Sequence, residues 1–289
     1  MEHSVYYNKS VDDVIQQYFR KLRIRILLGM LLACVDAIVF YCLMETVDYF
    51  LWGILILSIY GLSLFLLLIG IKLFNFKSFT SLSKILYYDC DPVKYEEVLI
   101  QLLSLDKRGK ARATISLELA VAVLARKNPE KGIKYLQQVS FKKFALYREL
   151  KKLGCYAAYY DLQDDFVGLH KIQEELKRLN ADLKTDSYFY RRIKYQIGLV
   201  EAMAAREDES IEGQVQRWIR FYSMAETPLH ENLFLMRLAK LELAQGKREL
   251  SMRHMGFVAI EGNTLPCASE AIQILSRCGS AGDSRILDK

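Results

Sequence analysis

The sequence predicts an all-α protein: an N-terminal transmembrane helical hairpin followed by a domain of antiparallel helix pairs. Three observations carry this. Two apolar runs, residues 26–44 and 50–71, are separated only by Glu45-Thr46-Val47-Asp48, and each is about the 20 residues a helix needs to cross hydrocarbon. Beyond them the chain is charged, with apolar residues at helical spacing. Only 4 prolines and 15 glycines occur, and no run alternates as a half-buried strand would.

The composition mixes two kinds of segment. The apolar fraction is 52% and the mean hydropathy +0.06, an excess concentrated before residue 71. The net charge is +6. The first 84 residues hold 8 Lys/Arg and 6 Asp/Glu, which leaves 32 and 28 in the remainder. That near balance lacks the basic footprint of a nucleic-acid binder. Six cysteines, Cys34, Cys42, Cys90, Cys155, Cys267 and Cys278, never form a C-x-x-C pair. In a cytosolic domain, widely spaced cysteines read as reduced thiols.

The chain opens with a frayed start. Ser10-Val11-Asp12-Asp13 then reads as a helix N-terminus, with Ser10 as cap and two acids in the first turn. Residues 1–25 form an amphipathic, basic lead-in ending in Arg20, Lys21, Arg23 and Arg25. A cleaved signal is disfavoured, because the apolar run starts late, is long, contains an Asp and is followed at once by a second run. Lys72, Lys77 and Lys84 follow that second run in a basic juxtamembrane linker, 72–84, while the link between the runs has no Lys or Arg. The positive-inside rule therefore puts both termini and the helical domain in the cytoplasm, with the hairpin, 26–71, as a two-span anchor. Tyr49, Phe50 and Trp52 fall where an outer aromatic belt belongs. Phe74, Phe76 and Phe79 suit the inner boundary.

Asp36 lies near the middle of the first span. A carboxylate there costs about 3 kcal/mol on insertion scales, so it must be paired, wetted or protonated. Folding the hairpin about Val47 sets Asp36 level with Ser58, with Tyr60 and Ser63 nearby. A bond to Ser58 or Tyr60 would help pair the helices, and polar contact with a second copy or another membrane protein is the alternative. A proton or ion pathway is a third, weakened because two helices of one chain cannot enclose a pore.

From residue 79 the pattern is a series of amphipathic helices: 81–88, 92–105, 112–126, 129–139, 142–162, 166–179, 187–205, 211–224, 228–244, 250–260 and 266–277. Pro92, Pro129, Pro228 and Pro266 sit where first turns begin. Gly246, Gly262 and Gly279 follow ends. Residues 85–278 make up the repeat domain, and 279–289 are too polar to pack and read as a flexible tail.

An internal period runs through this domain. Leu235-x-x-Leu238-Ala239 is followed by Gly246, Ser251, Met255 and Val258. Similar anchors recur at Leu119-Ala120 with Gly132, Leu136 and Val139. They recur at Leu153, Tyr156-Ala157 and Tyr160 with Phe166, and at Ile197-Gly198 with Glu201. This pattern resembles a tetratricopeptide repeat (TPR), so the resemblance implies a TPR-like α-solenoid of antiparallel helix pairs. The small anchors Ala120, Ala157, Gly198 and Ala239 are 37, 41 and 41 residues apart, against about 34 in the TPR consensus. The aromatic and proline marks of that consensus are mostly missing. Small residues let paired helices approach, and each hairpin buries its remaining apolar face on the next.

The TPR-like register places Leu117, Val121, Lys151, Arg192, Tyr195, Met236 and Lys240 on the first helices of successive pairs, toward a concave face. The resemblance implies a groove there for an acidic peptide or a C-terminal carboxylate. Solvated helix faces or packing between repeats would use the same residues. Tyr188-Phe189-Tyr190-Arg191-Arg192 is the densest aromatic and basic cluster, suited to a partner hot spot or to packing at a helix start.

No phosphate loop, dinucleotide fingerprint or H-E-x-x-H is present, and no nucleophile elbow or kinase signature. His3, His170, His230 and His254 are scattered without metal-ligand spacing. Asp161, Asp164, Asp165 and His170 read as a turn and helix start. No catalytic residue, cofactor or metal is therefore expected. The reading is a membrane-anchored cytosolic adaptor that recruits a protein or peptide partner, its basic flanks favouring anionic lipid of the inner leaflet. The alternative is an accessory subunit of a transport, secretion or envelope complex, joined to itself or to others through the hairpin.

Overall fold

The computed structural model describes residues 3–45, 50–107, 109, 111–141, 145–181, 183–205 and 209–283. Among them every regular element is helical, and the helices fall into two compact units, Asn8–Lys84 and Met1–Tyr7 with Ile85–Lys289. Each is described in turn.

The smaller unit consists of α1 (Val11–Glu45) and α2 (Phe50–Leu82). Ser10 starts α1 as expected: its hydroxyl accepts the Asp13 N–H at 3.2 Å, and the Asp13 carboxylate accepts the Ser10 N–H at 3.3 Å, satisfying two otherwise orphaned donors. The two helices pack antiparallel. Gly29, Ala33, Asp36, Ala37 and Phe40 form the less exposed stripe of α1, and their heptad-like spacing is that of a helix–helix seam. A Cβ on Gly29 would come within 2.6 Å of Ile71 Cδ1, so glycine here permits close approach. Phe40 stacks on Tyr60 with ring centroids 4.5 Å apart. At the lower end, the Arg25 guanidinium donates to the Phe74 carbonyl at 2.7 Å and to Ser78 Oγ, pinning α1 to α2.

Away from the seam the hairpin is apolar and exposed. Both helices are long and apolar enough to cross a membrane, and almost none of either apolar stretch is buried. The exposed large apolar side chains run from Ile24 to Met44 on α1 and from Trp52 to Phe76 on α2. The register set by Gly29–Ile71 and Phe40–Tyr60 puts Ile24 level with Phe76, so the lower edges of the two stretches are flush. At 1.5 Å per residue the α1 stretch is about 30 Å tall, which matches the hydrocarbon thickness of a bilayer.

The larger unit contains α3 (Lys84–Tyr87), α4 (Pro92–Leu105), α5 (Arg112–Ala125), α6 (Pro129–Gln137), α7 (Leu146–Leu162) and α8 (Phe166–Ala181). It continues with α9 (Tyr188–Ala204), α10 (Ile211–Ser223), α11 (Pro228–Ala244), α12 (Arg248–Glu261) and α13 (Pro266–Asp283). Local chemistry explains the boundaries. Asp91 and Asn128 accept the N–H of Lys94 and Lys131 as caps, each with a proline in the first turn. Ser187 and Ser210 cap α9 and α10, and Gly246 takes φ +76 where α11 turns into α12.

Successive helices pack antiparallel in a repeat-like solenoid, with α5–α6, α7–α8 and α11–α12 as close pairs, while α9 packs chiefly on α8 and α10 on α11. First helices also touch across pairs, α5 on α7, α7 on α9 and α11 on α13. The small anchors sit at these contacts, with Ala120, Ala157 and Ala239 buried. On the second helices, Gly132 abuts Leu124, Gly168 lies against the Tyr160 ring, and the Ser251 hydroxyl donates to the Ala239 carbonyl at 2.7 Å. One core layer joins α5, α6 and α7 through Leu117, Leu124, Leu136 and Cys155; the next joins α7, α8 and α9 through Leu153, Leu169, Ile172 and Ile193.

The row is also tied end to end. Lys127, just after α5, and Lys240 on α11 both pair with Glu270 on α13. Asn263 donates to the Asp89 carbonyl at 2.8 Å, and the Thr264 hydroxyl lies 2.8 Å from the Asp91 carboxylate. Residues 4–7, expected to be part of a frayed start, are held in place. Tyr6 is buried and Ser4 binds Asp89. Residues 284–289, the end of the expected tail, lie outside the described residues, and α13 continues to Asp283.

Candidate functional site

Tyr87, at the end of α3, sits among the first helices of the repeat row. Its ring faces Lys151 of α7, 5.9 Å from Nζ to centroid, and His230 of α11, 5.9 Å between centroids. Lys151 pairs with Glu118 of α5 at 2.5 Å, and the Tyr95 hydroxyl donates to the other Glu118 oxygen at 3.0 Å. Burial works against a charge on Lys151, yet Tyr87 and Glu118 hold its pKa above the ordinary lysine value. The ammonium is therefore a structural cation.

The remaining groove candidates are dispersed. Leu117 and Met236 are buried core residues, each 3% exposed. Lys240 is exposed and pairs with Glu270. Arg192 donates to the Tyr188 hydroxyl at 2.6 Å, and Tyr195 meets Phe221 edge-on. Lys151, Arg192 and Lys240 each have a different partner, Glu118, Tyr188 and Glu270. Tyr87, from the segment after the hairpin, lies beside Lys151 and His230. Sequence spacing could not show this, since Glu118 and Tyr87 carry no motif and lie on other elements.

Around the aromatic cluster, Ser187 caps the helix and Tyr188 remains exposed beside Phe189. The Asp161–His170 group is a turn and helix start, as expected. Asp165 caps α8 through the Gly168 N–H at 2.9 Å, and Asp161 pairs with Arg237, whose guanidinium lies 4.8 Å from the Trp218 centroid.

In the hairpin, the register differs from a simple fold about Val47. It sets Asp36 level with Leu64, beside Ser63. The Ser58 hydroxyl instead donates to the Ile54 carbonyl of its own helix at 2.8 Å, and Tyr60 stacks on Phe40. The expected bond from Asp36 to Ser58 is absent, and Asp36 Oδ2 is buried without a hydrogen-bond partner. Of the expected belts, Trp52, Phe74 and Phe76 are exposed. The link 46–49, Tyr49 and the Phe50 side chain lie outside the described residues.

Cys90, Cys155 and Cys267 are buried free thiols, and burial pushes them up to about 12, about 12 and about 11. Such thiols stay protonated and are inert as nucleophiles. Among the described residues no group of three or more His, Cys, Asp or Glu is placed to hold a metal. Comparison with protein-family models, with curated proteins and with solved structures finds no match.

Proposed function

We propose that this chain is a membrane-anchored adaptor, with a TPR-like helical domain that holds a protein partner at the cytoplasmic membrane surface. The observation that carries the anchoring is the exposed apolar band on α1 and α2, flush at its lower edge and about 30 Å tall on α1, bilayer height. Exposed apolar area on this scale is stable only against lipid or protein. Arg20, Lys21, Arg23, Lys72 and Lys77 flank its lower edge with no acidic residue between 14 and 35 or between 49 and 88. Those cations favour an anionic inner leaflet and cytoplasmic termini. A further support for one-sided termini is that Ser4 and Tyr6 are docked in the same unit as the repeats.

The adaptor role rests on a repeat architecture with much outer helix surface and no assembled catalytic group among the described residues. A second reading, an accessory subunit whose hairpin makes the decisive contacts, draws on the unsatisfied Asp36 Oδ2. One experiment separates them. The full chain and a version whose residues 20–77 are replaced by an unrelated two-span hairpin are crosslinked in membranes, and partners are identified by mass spectrometry. The adaptor reading expects the same partner in both. A partner lost with the native hairpin supports the second reading, and a full chain extracted by alkaline carbonate ends both.

A further inference from the structure

The first described residues of the chain are held as a peptide ligand is held. The Asp89 carboxylate, 3% exposed, accepts the Ser4 N–H at 2.6 Å and the Ser4 hydroxyl on its second oxygen. Lys94 Nζ donates to the Tyr6 carbonyl at 2.7 Å and the Tyr7 carbonyl at 3.0 Å. The segment turns on itself, with the Tyr6 N–H bonded to Ser4 Oγ at 3.1 Å and the Tyr7 N–H to the Ser4 carbonyl at 3.2 Å. Tyr6 is 3% exposed, whereas Val5 is 66% exposed. Main-chain groups are thus read by one buried acid and one base, and the side chain at one position is enclosed while its neighbour is free. That division is how short peptides are recognised: backbone bonds give affinity and a side-chain pocket gives selectivity.

The residues that hold the segment are themselves held by groups outside it. Asp91 caps α4 through the Lys94 N–H, which fixes the base of the Lys94 side chain. The Asp89 carbonyl and the Asp91 carboxylate are in turn held by Asn263 and Thr264 from the α12–α13 turn. With the segment in place the Asp89 carboxylate is buried and both its oxygens are bonded to Ser4, as a buried carboxylate requires.

We propose that Asp89, Lys94 and the enclosure around Tyr6 form a peptide-docking site. It takes a short Ser-x-Tyr segment, is filled in cis by residues 4–7, and exchanges that segment for one of the same pattern on a partner protein. This deepens the adaptor reading by naming the partner's recognition element, and its role in recruitment rests on that reading. The tether keeps the cis segment at high effective concentration, so exchange requires that the cis contacts be weakened first.

The test uses the full chain in detergent and a fluorescent peptide of residues 1–9. Tyr6→Ala should release the N-terminus, seen as faster tryptic cleavage after Lys9, with the thermal melt still cooperative. The peptide should bind this variant and not the wild type. Adding Asp89→Ala or Lys94→Ala should weaken that binding about tenfold or more, and a peptide carrying Tyr6→Ala should not bind. If Tyr6→Ala does not fold, Ser4→Ala serves in its place. A folded, released variant that ignores the peptide would overturn the proposal. Equal binding by wild type, or an N-terminus that stays protected in both variants, would do so too. None of these readouts depends on membrane insertion or on a purified partner, so the site can fail while the adaptor reading stands.

Discussion

At the scale of single residues, buried polar groups decide more than exposed ones. Lys151 and Glu118 sit together beneath Tyr87 and Tyr95. Removing one member leaves the other charged and enclosed, which costs about 3 kcal/mol, whereas replacing both by apolar residues of similar volume is far milder. Lys151→Met should therefore lower the denaturation midpoint sharply in urea. Lys151→Met with Glu118→Leu should recover most of the loss, and an additive double variant would refute the coupling. His230 gives a pH signature at the same interface. It packs against Tyr87 and Phe234, bonds Thr227, and has Glu226 and Arg192 nearby. Burial pushes its pKa below the ordinary histidine value. The unfolded chain then binds the proton more readily, so this contribution is complete above the unfolded pKa. It is lost as pH falls from about 6.5 toward the folded value. The thermal midpoint should drop over that window, and His230→Phe should flatten that part of the profile.

At the scale of elements, close contacts set how helices pair. A Cβ on Gly168 would lie 2.3 Å from Tyr160 Cδ1 and 2.5 Å from Cγ, atoms of a ring that cannot swing clear as a chain end can. Gly168→Ala gains helix propensity of about 1 kcal/mol, but overpacking costs about 1–3 kcal/mol. A net loss of stability is expected, and Tyr160→Ala in the same chain should rescue the overpacking. A stabilised single variant would show that α7 and α8 separate easily. The helix boundaries were largely legible in the sequence, because caps and first-turn prolines are local: Asp91-Pro92, Asn128-Pro129 and Ser187 all act where they stand. The register of α1 on α2 was not. Gly29 and Phe40 meet Ile71 and Tyr60 through packing, which moves the level of Asp36 from Ser58 to Leu64.

At the scale of the molecule, the apolar band and the tied repeat row are the dominant features. Leu31 and Leu62 lie within the band, 60% and 57% exposed. Arg at either position should cost about 2.5–3.5 kcal/mol of insertion. The double variant is expected to shift from the carbonate-resistant membrane fraction to the soluble or aggregated one. Unchanged membrane retention would mean that these faces do not meet lipid. Within the larger unit, early and late helices are linked through Glu270, Asn263 and Thr264.

The sequence alone determined the helical class, the apolar hairpin, its basic flanks and nearly every helix start. Those properties depend on composition, period and near-neighbour hydrogen bonds, all of which are written along the chain. The tertiary structure alone decided which groups share a site. Lys151 pairs with Glu118, Ser4 with Asp89, and Lys127 with Glu270 across separations of 33, 85 and 143 residues. Such contacts follow from the packing angles of many helices at once, and no local pattern encodes them. That is why the groove candidates Lys151, Arg192 and Lys240 have separate partners, and why the first described residues are held by a carboxylate far along the chain.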